Sequence, residues 1–311
     1  MPTTKELRNS ALKLLKENVK IKSGEKILLV TDRHGCKISH SIIEAASTLG
    51  INTGIARISS KRAHSSPIPE LAAAFRSADV IIAPTYKSIS HSPQTRIARK
   101  KNGVRVVSMP GITEDMFVQS FSTPVAKQKK INKKFITAFH GKKVCIASKS
   151  GTDLQIGIKN QLFKSDDGDC TTRGRLINLP SGEIDTAPIS TIDGTLVIDA
   201  LSGIKNASYL INIKKGRIVG FDKKAKNFVS HLKQHGDCAL RTVEFGIGTN
   251  PNHKKPTGNI LHDEKILGSI HIAFGGYGNL RRCPIHEDVI VIHPMIKIDG
   301  KIFMKNGRVM K

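Results

Sequence analysis

The sequence predicts an α/β fold in two parts: an N-terminal parallel-sheet α/β domain, then a mainly antiparallel α+β metal-binding domain. Three observations carry this. Short apolar runs alternate with helical patterns through the first third of the chain, and such alternation demands a parallel sheet wrapped by helices. From residue 140 onward the runs become short, alternating and separated by turn signals. Isolated acidic and histidine residues then interrupt apolar or glycine-rich segments of that second half.

The elements follow in order. "ELRNSALKLLKENV" spaces its apolar residues as a helix does, and "EKILLVTD" is an apolar run suited to a buried strand. "ISHSIIEAASTLG" predicts a helix with Gly50 as its C-terminal cap, and "INTGIARI" a strand. Pro69 opens the helix of "PELAAAFRSA", because a first-turn residue needs no N–H. "DVIIAPT", "TRIARKKNG" and "VRVVSMP" continue as strand, helix and strand. After the first strand, "TDRHGCK" holds one glycine and no GxGxxG, and no Walker loop occurs, so no phosphate cradle is predicted. The boundaries read as 1–122 for the first domain, 123–139 for a basic connecting helix and 140–311 for the second domain. In the second domain Asp299-Gly300 and Asn306-Gly307 lie between strands as hairpin turns, and "KKAKNFVSHLKQHG" is its one clear helix.

Composition narrows the function. Fifty Lys and Arg against 25 Asp and Glu give a net charge of +25, yet the lysines are scattered, and the one dense run, Lys127 to Lys134, has no base-reading motif beside it. With no Trp and few aromatics, a stacking platform for single strands is unsupported. The charge reads as a solvated lysine-rich surface, and no nucleic-acid partner is expected. Five dispersed cysteines without a CxxC argue against a disulfide framework or zinc knuckle and fit a reducing compartment. The start lacks an apolar signal region, and no stretch approaches the roughly 18 apolar residues of a membrane span. A cytoplasmic, soluble protein is expected.

The chemistry concentrates in "RRCPIHEDVIVIHP". In a strand, residues two apart face one side, so His286 and Asp288 deliver a nitrogen and an oxygen to one point. "LGSIHIAFGG" sets His271 mid-strand, "RTVEFGIG" does the same for Glu244, and "NLPSGEIDTAP" places Glu183 after Gly182. A buried charge is costly unless paired or bound to metal, and nitrogen and oxygen donors without a thiol suit a hard or borderline divalent cation, or two. His91 in "SISHSPQ" reads as part of a helix cap, and His293 as a strand-end residue rather than a sixth ligand.

The motifs "SGEKILLVTD", "SGTDL", "NLPSGEIDTAP", "RTVEFGIGTN", "DEKILGSIHIAFG" and "IHEDV" stand in the order found in the thermophilic aminopeptidases, metallopeptidase family M29, and the chain resembles that family over nearly its whole length. The resemblance implies a homodimer that removes N-terminal residues from small peptides, using two divalent ions (Zn, Co, Mn or Mg) on Glu183, Glu244, His271, His286 and Asp288. Tyr277 would then donate to the oxyanion and Glu264 would shuttle the proton, with Glu264 paired to a neighbouring lysine as the alternative. Two features depart from the pattern. Tyr277 stands one position early, with Gly278 at the expected place, and His271 and His286 are closer together than in the larger peptidases. A compact relative includes iron-dependent dioxygenases that open dihydroxypyridine rings with two His and one carboxylate, which His271, His286 and Asp288 would satisfy around Fe(II). Retention of both Glu183 and Glu244 favours the peptidase. A basic binding protein on a retired enzyme scaffold is the third reading.

Overall fold

The computed structural model describes residues 1–63, 65–141, 143–189, 191–277 and 281–310. They fall into two compact units, Met1–Gln128 with Asp166–Ser181, and Lys129–Ser165 with Gly182–Lys311.

The first unit is built as the alternation requires. Strands β1 (Lys26–Thr31), β2 (Asn52–Arg57), β3 (Val80–Ala83) and β4 (Arg105–Ser108) pair in parallel. Their crossovers contain the helices Cys36–Thr48, Ala72–Ser77 and Pro93–Ile97. Ser92 caps the last of these by accepting from the Thr95 N–H, and Pro93 sits at its first turn. The chain then forms β5 (Lys143–Ala147), β6 (Asp153–Gly157) and β7 (Lys164–Asp166), and returns with β8 (Leu176–Asn178) to pair with β4. The sheet order is β2-β1-β3-β4-β8. No periodicity signals that return: β8 is three residues long, and only its pairing identifies it. The core of this unit gathers Leu28, Val30, Phe75, Ile81 and Val106.

The second unit continues with β9 (Glu183–Thr186), β10 (Ile192–Leu201), β11 (Ile204–Lys214), β12 (Arg217–Phe221), β13 (Thr242–Gly248), β14 (Ile270–Tyr277), β15 (Arg281–Val291), β16 (Met295–Ile298), β17 (Lys301–Lys305) and β18 (Arg308–Val309). Their pairing is antiparallel wherever the register is defined. Both predicted hairpin turns form, with Asp299 and Gly300 at φ 47° and 85° and Asn306 and Gly307 at 50° and 72°. Two successive positive φ values match the twist of the flanking strands. Phe135, Phe139, Phe245, Phe274, Val289 and Val291 pack in the core of this unit. No helix among the described residues is long and apolar enough to cross a membrane.

One expectation needs correcting. Cys238 and Cys283 are joined, although the spacing of the cysteines argues against a bridge. The short turn Asp237–Leu240 packs against β14 and β15, which brings together residues 45 apart in sequence. Cys36, Cys145 and Cys170 are free. Denatured, unreduced protein is expected to titrate as three thiols, rising to five after reduction. Reduction should cost about 2–4 kcal/mol of unfolding free energy, the usual contribution of a cross-link closing a loop of this order. Five thiols before reduction would show the bond to be unmade.

Candidate metal centre

The site lies on one face of four neighbouring strands, β15, β14, β13 and β9. Directly paired residues point the same way, so the register can be read as rows. Asp185 stands beside Gly246, which stands beside His271. Glu244 faces Ala273, which faces Asp288. Gly275 faces His286, and Glu183 faces Gly248. Functional side chains therefore alternate with glycine or alanine, and the small residues leave the volume that the large ones fill. Two of those glycines are required. A Cβ on Gly246 would overlap the His271 imidazole. One on Gly248 would overlap the backbone of Lys265 and Ile266, which could then no longer reach the sheet.

The donors interlock. His286 Nε2 lies 3.3 Å from Asp288 Oδ2 and 3.7 Å from Glu244 Oε2. His271 Nε2 lies 3.5 Å from Glu244 Oε1 and 3.8 Å from Glu183 Oε2. His286 Nδ1 donates to the Gly276 carbonyl at 2.6 Å, which turns Nε2 toward the carboxylates and fixes the ring. Lys265, completely buried, places its ammonium 2.5 Å from Glu183 and 2.6 Å from Glu264. The expected alternative for Glu264, a pairing with the next lysine, is thus realised, though in the interior rather than on the surface.

Burial and mutual attraction set the charges. Burial would push His271 down, but Glu244, Glu183 and Glu264 outweigh it and hold it up at about 10. The same contest, won by Asp288 and Glu244, holds His286 at about 10. Burial opposes ionisation of Asp288, yet the His286 imidazolium keeps it well below the ordinary carboxylate range. Asp185 is pushed up to about 7 by burial and by Glu244 and Glu183. Glu264 is pushed up to about 8 by burial, against the pull of Lys265.

The residues present fit a divalent cation. Two imidazole nitrogens and the carboxylates of Asp288 and Glu244 form a hard-to-borderline donor set without thiol. Ligands about 2.1 Å from a shared metal stand about 3 Å from one another. The imidazole–carboxylate separations of 3.3 to 3.7 Å are close to that value. Buried Glu183 Oε2 has no hydrogen-bond partner among the described residues. Among the described residues no three donors already close into a cage; imidazoles and carboxylates stand in pairs instead.

Of the residues picked from sequence, Glu183, Glu244, His271, His286 and Asp288 come together, and Glu264 joins them through Lys265. Tyr277 stands at the rim, its ring centroid 6.1 Å from that of His286. His91 is exposed beside the cap of its helix, and His293 packs at the end of β15 against Gly307. Sequence reading missed Asp185, Lys265 and Lys164. Asp185 carried a signal, since it lies two residues beyond Glu183 on a strand. Nothing local marks Lys164.

Residues 11–311 match the family model NicX, described as 2,5-dihydroxypyridine 5,6-dioxygenase. A solved 2,5-dihydroxypyridine dioxygenase from Pseudomonas putida KT2440 superposes with a TM-score of 0.84 at 17% identity, over 100% of this chain and 98% of that one. Wild-type AmpT from Thermus thermophilus superposes with a TM-score of 0.70, also at 17% identity, over 99% of each chain. At that identity both likenesses speak to the fold alone. No curated protein sequence matches.

These findings overturn the assignment to metallopeptidase family M29 and, with it, the aminopeptidase activity and the hydrolase class. The peptidase-type fold remains only as a structural neighbour. The two-ion centre finds no support. Retention of Glu183 and Glu244 argued for a second cation, but the buried ammonium of Lys265 already supplies a positive charge to Glu183. The family instead points to a metal cofactor for a dioxygenase. With a match spanning residues 11–311, the chain belongs to the NicX, 2,5-dihydroxypyridine 5,6-dioxygenase, family.

Proposed function

We propose that the protein is an Fe(II)-dependent ring-cleaving dioxygenase of hydroxylated pyridines, with His271, His286 and Asp288 holding the metal. The observation that carries this reading is the convergence of two imidazole Nε2 atoms and the Asp288 carboxylate on one sheet face, in a chain of this family. Two histidines and one carboxylate, with coordination positions left open, are the usual holder of non-haem Fe(II) in oxygenases. Bound there, Fe(II) would supply the redox chemistry that lets dioxygen react with an aromatic ring.

The chain's own residues prepare that chemistry. The Gly276 carbonyl keeps the proton of His286 on Nδ1, so that Nε2 can offer its lone pair. Glu244 lies against both imidazoles and holds their orientation. Lys265 ties down Glu183 and Glu264, while Asp288 and Glu244 are set against the imidazoles. Asp185, held near 7, can take up a proton from a ring hydroxyl at neutral pH and release it again.

Three outcomes are expected. Protein loaded with Fe(II) should carry one iron per chain, consume oxygen with loss of 2,5-dihydroxypyridine absorbance, and leave aminoacyl p-nitroanilides intact. His286→Ala and Asp288→Ala should each lose activity by at least about a hundredfold, together with the iron, while circular dichroism is unchanged. Full activity in either variant would end the site assignment. Gly246→Ala should have a similar effect, because its methyl group displaces the His271 ring.

The pH dependence follows from the raised imidazoles. Folded without metal, His271 and His286 remain protonated up to about pH 10. Metal needs them neutral, so binding must expel protons, and apparent affinity should rise from pH 6 to 9. Calorimetric titration with Mn(II) in buffers of different ionisation enthalpy should give release of about two protons per metal. Release of none would mean that these imidazoles are not the ligands.

A further inference from the structure

Among the described residues, Lys265 and Lys164 approach the centre, and they differ in exposure. Lys265 is buried and committed to Glu183 and Glu264. Lys164, on β7, is 52% exposed and stands at the rim. Its Nζ donates to Tyr277 Oη at 2.7 Å, lies 4.4 Å from the Tyr277 ring centroid and is 4.0 Å from Asp185 Oδ1. Tyr277 Oη donates in turn to Asp185 Oδ1 at 3.3 Å. The Tyr277 ring lies tilted beside that of His286, centroids 6.1 Å apart, so the trio borders the centre.

An ammonium has three donors and no acceptor. With one used on Tyr277, Lys164 keeps donors facing solvent beside a site lined with carboxylates. Those carboxylates repel an anionic ring, so a ring oxyanion needs a fixed positive charge at the entrance. A free lysine would supply one at a high entropic cost; a lysine held by a phenol and a carboxylate is already in place.

We infer that Lys164, held at the rim by Tyr277 and Asp185, is a substrate-binding residue that takes a ring oxygen of the hydroxylated pyridine as its oxyanion. This rests on the dioxygenase reading above and extends it to substrate selection. It also gives Tyr277 a different role from the oxyanion donor of a peptidase: the phenol holds the lysine.

The test compares wild type, Lys164→Met and Lys164→Arg, each loaded with Fe(II). Anaerobic equilibrium binding would be measured with 2,5-dihydroxypyridine and with hydroquinone, which lacks the ring nitrogen and is less acidic. Oxygen uptake and iron content would be measured alongside. Loss of a charge-assisted contact should weaken dihydroxypyridine binding by about tenfold or more in Lys164→Met. KM should rise in step while kcat stays within about threefold, Lys164→Arg should recover most of the affinity, hydroquinone should be little affected, and iron content should not change. Wild-type affinity in Lys164→Met would overturn the lysine's role and leave the dioxygenase standing, provided turnover persists. Lys164-dependent binding without oxygen uptake in any form would keep the lysine's role and overturn the dioxygenase. Absence of binding by wild type would overturn both, and loss of iron from Lys164→Met would show a structural role instead.

Discussion

Everything at the candidate centre depends on the mutual neutralisation of carboxylates and imidazoles withdrawn from water. Glu183, Glu244, Asp288, His271 and His286 share one sheet face, and any of these charges left alone there would be expensive. They are tolerated because each is set against an opposite charge: His286 against Asp288, His271 against Glu244, Lys265 against Glu183. The facing carboxylates raise both imidazoles and so favour their protonated forms. Exchanging two imidazole protons for a divalent cation would leave the charge balance unchanged.

The sheet is what makes such crowding possible. Antiparallel pairing aligns β13, β14 and β15 so that His271, Glu244, His286 and Asp288 fall within two rows of one another. Glycines and an alanine occupy the intervening positions. Gly248 has a second effect, admitting the backbone that carries Lys265. A single methyl group would therefore act on the chemistry without replacing a donor, at Gly246 by striking the His271 ring and at Gly248 by displacing the backbone that carries Lys265. The Cys238–Cys283 bond ties the segment just before β13 to the arm of β15 that leads into His286, adding a covalent restraint to the same strands.

The misassigned reaction has a physical origin. Five oxygen and nitrogen donors in strand-like settings are compatible with one cation or two, and the motifs around them are spread over a fold that superposes on both AmpT and a dihydroxypyridine dioxygenase. The number of cations depends on what else neutralises the carboxylates. Lys265 does part of that, and a lysine following a glutamate in "DEKILG" carries no local sign that its ammonium will lie in the interior. Lys164 and Asp185 show the same limit. Their meeting with Tyr277 joins residues on β7, β9 and β14.

By itself the sequence determined what local chemistry dictates. Apolar runs alternating with helical spacing imposed the parallel sheet, Asp-Gly and Asn-Gly imposed the hairpins, and period-two placement put His286 and Asp288 on one face. These depend on backbone conformation and on side-chain direction along a single element, which neighbouring residues control. Tertiary structure decided the rest: the return of β8 to the first sheet, the bond between Cys238 and Cys283, the clearance that Gly246 leaves for His271, and the assignment of Lys265 to Glu183. Each is a contact between segments distant along the chain. Its energy depends on burial and distance in space, and no local pattern encodes either.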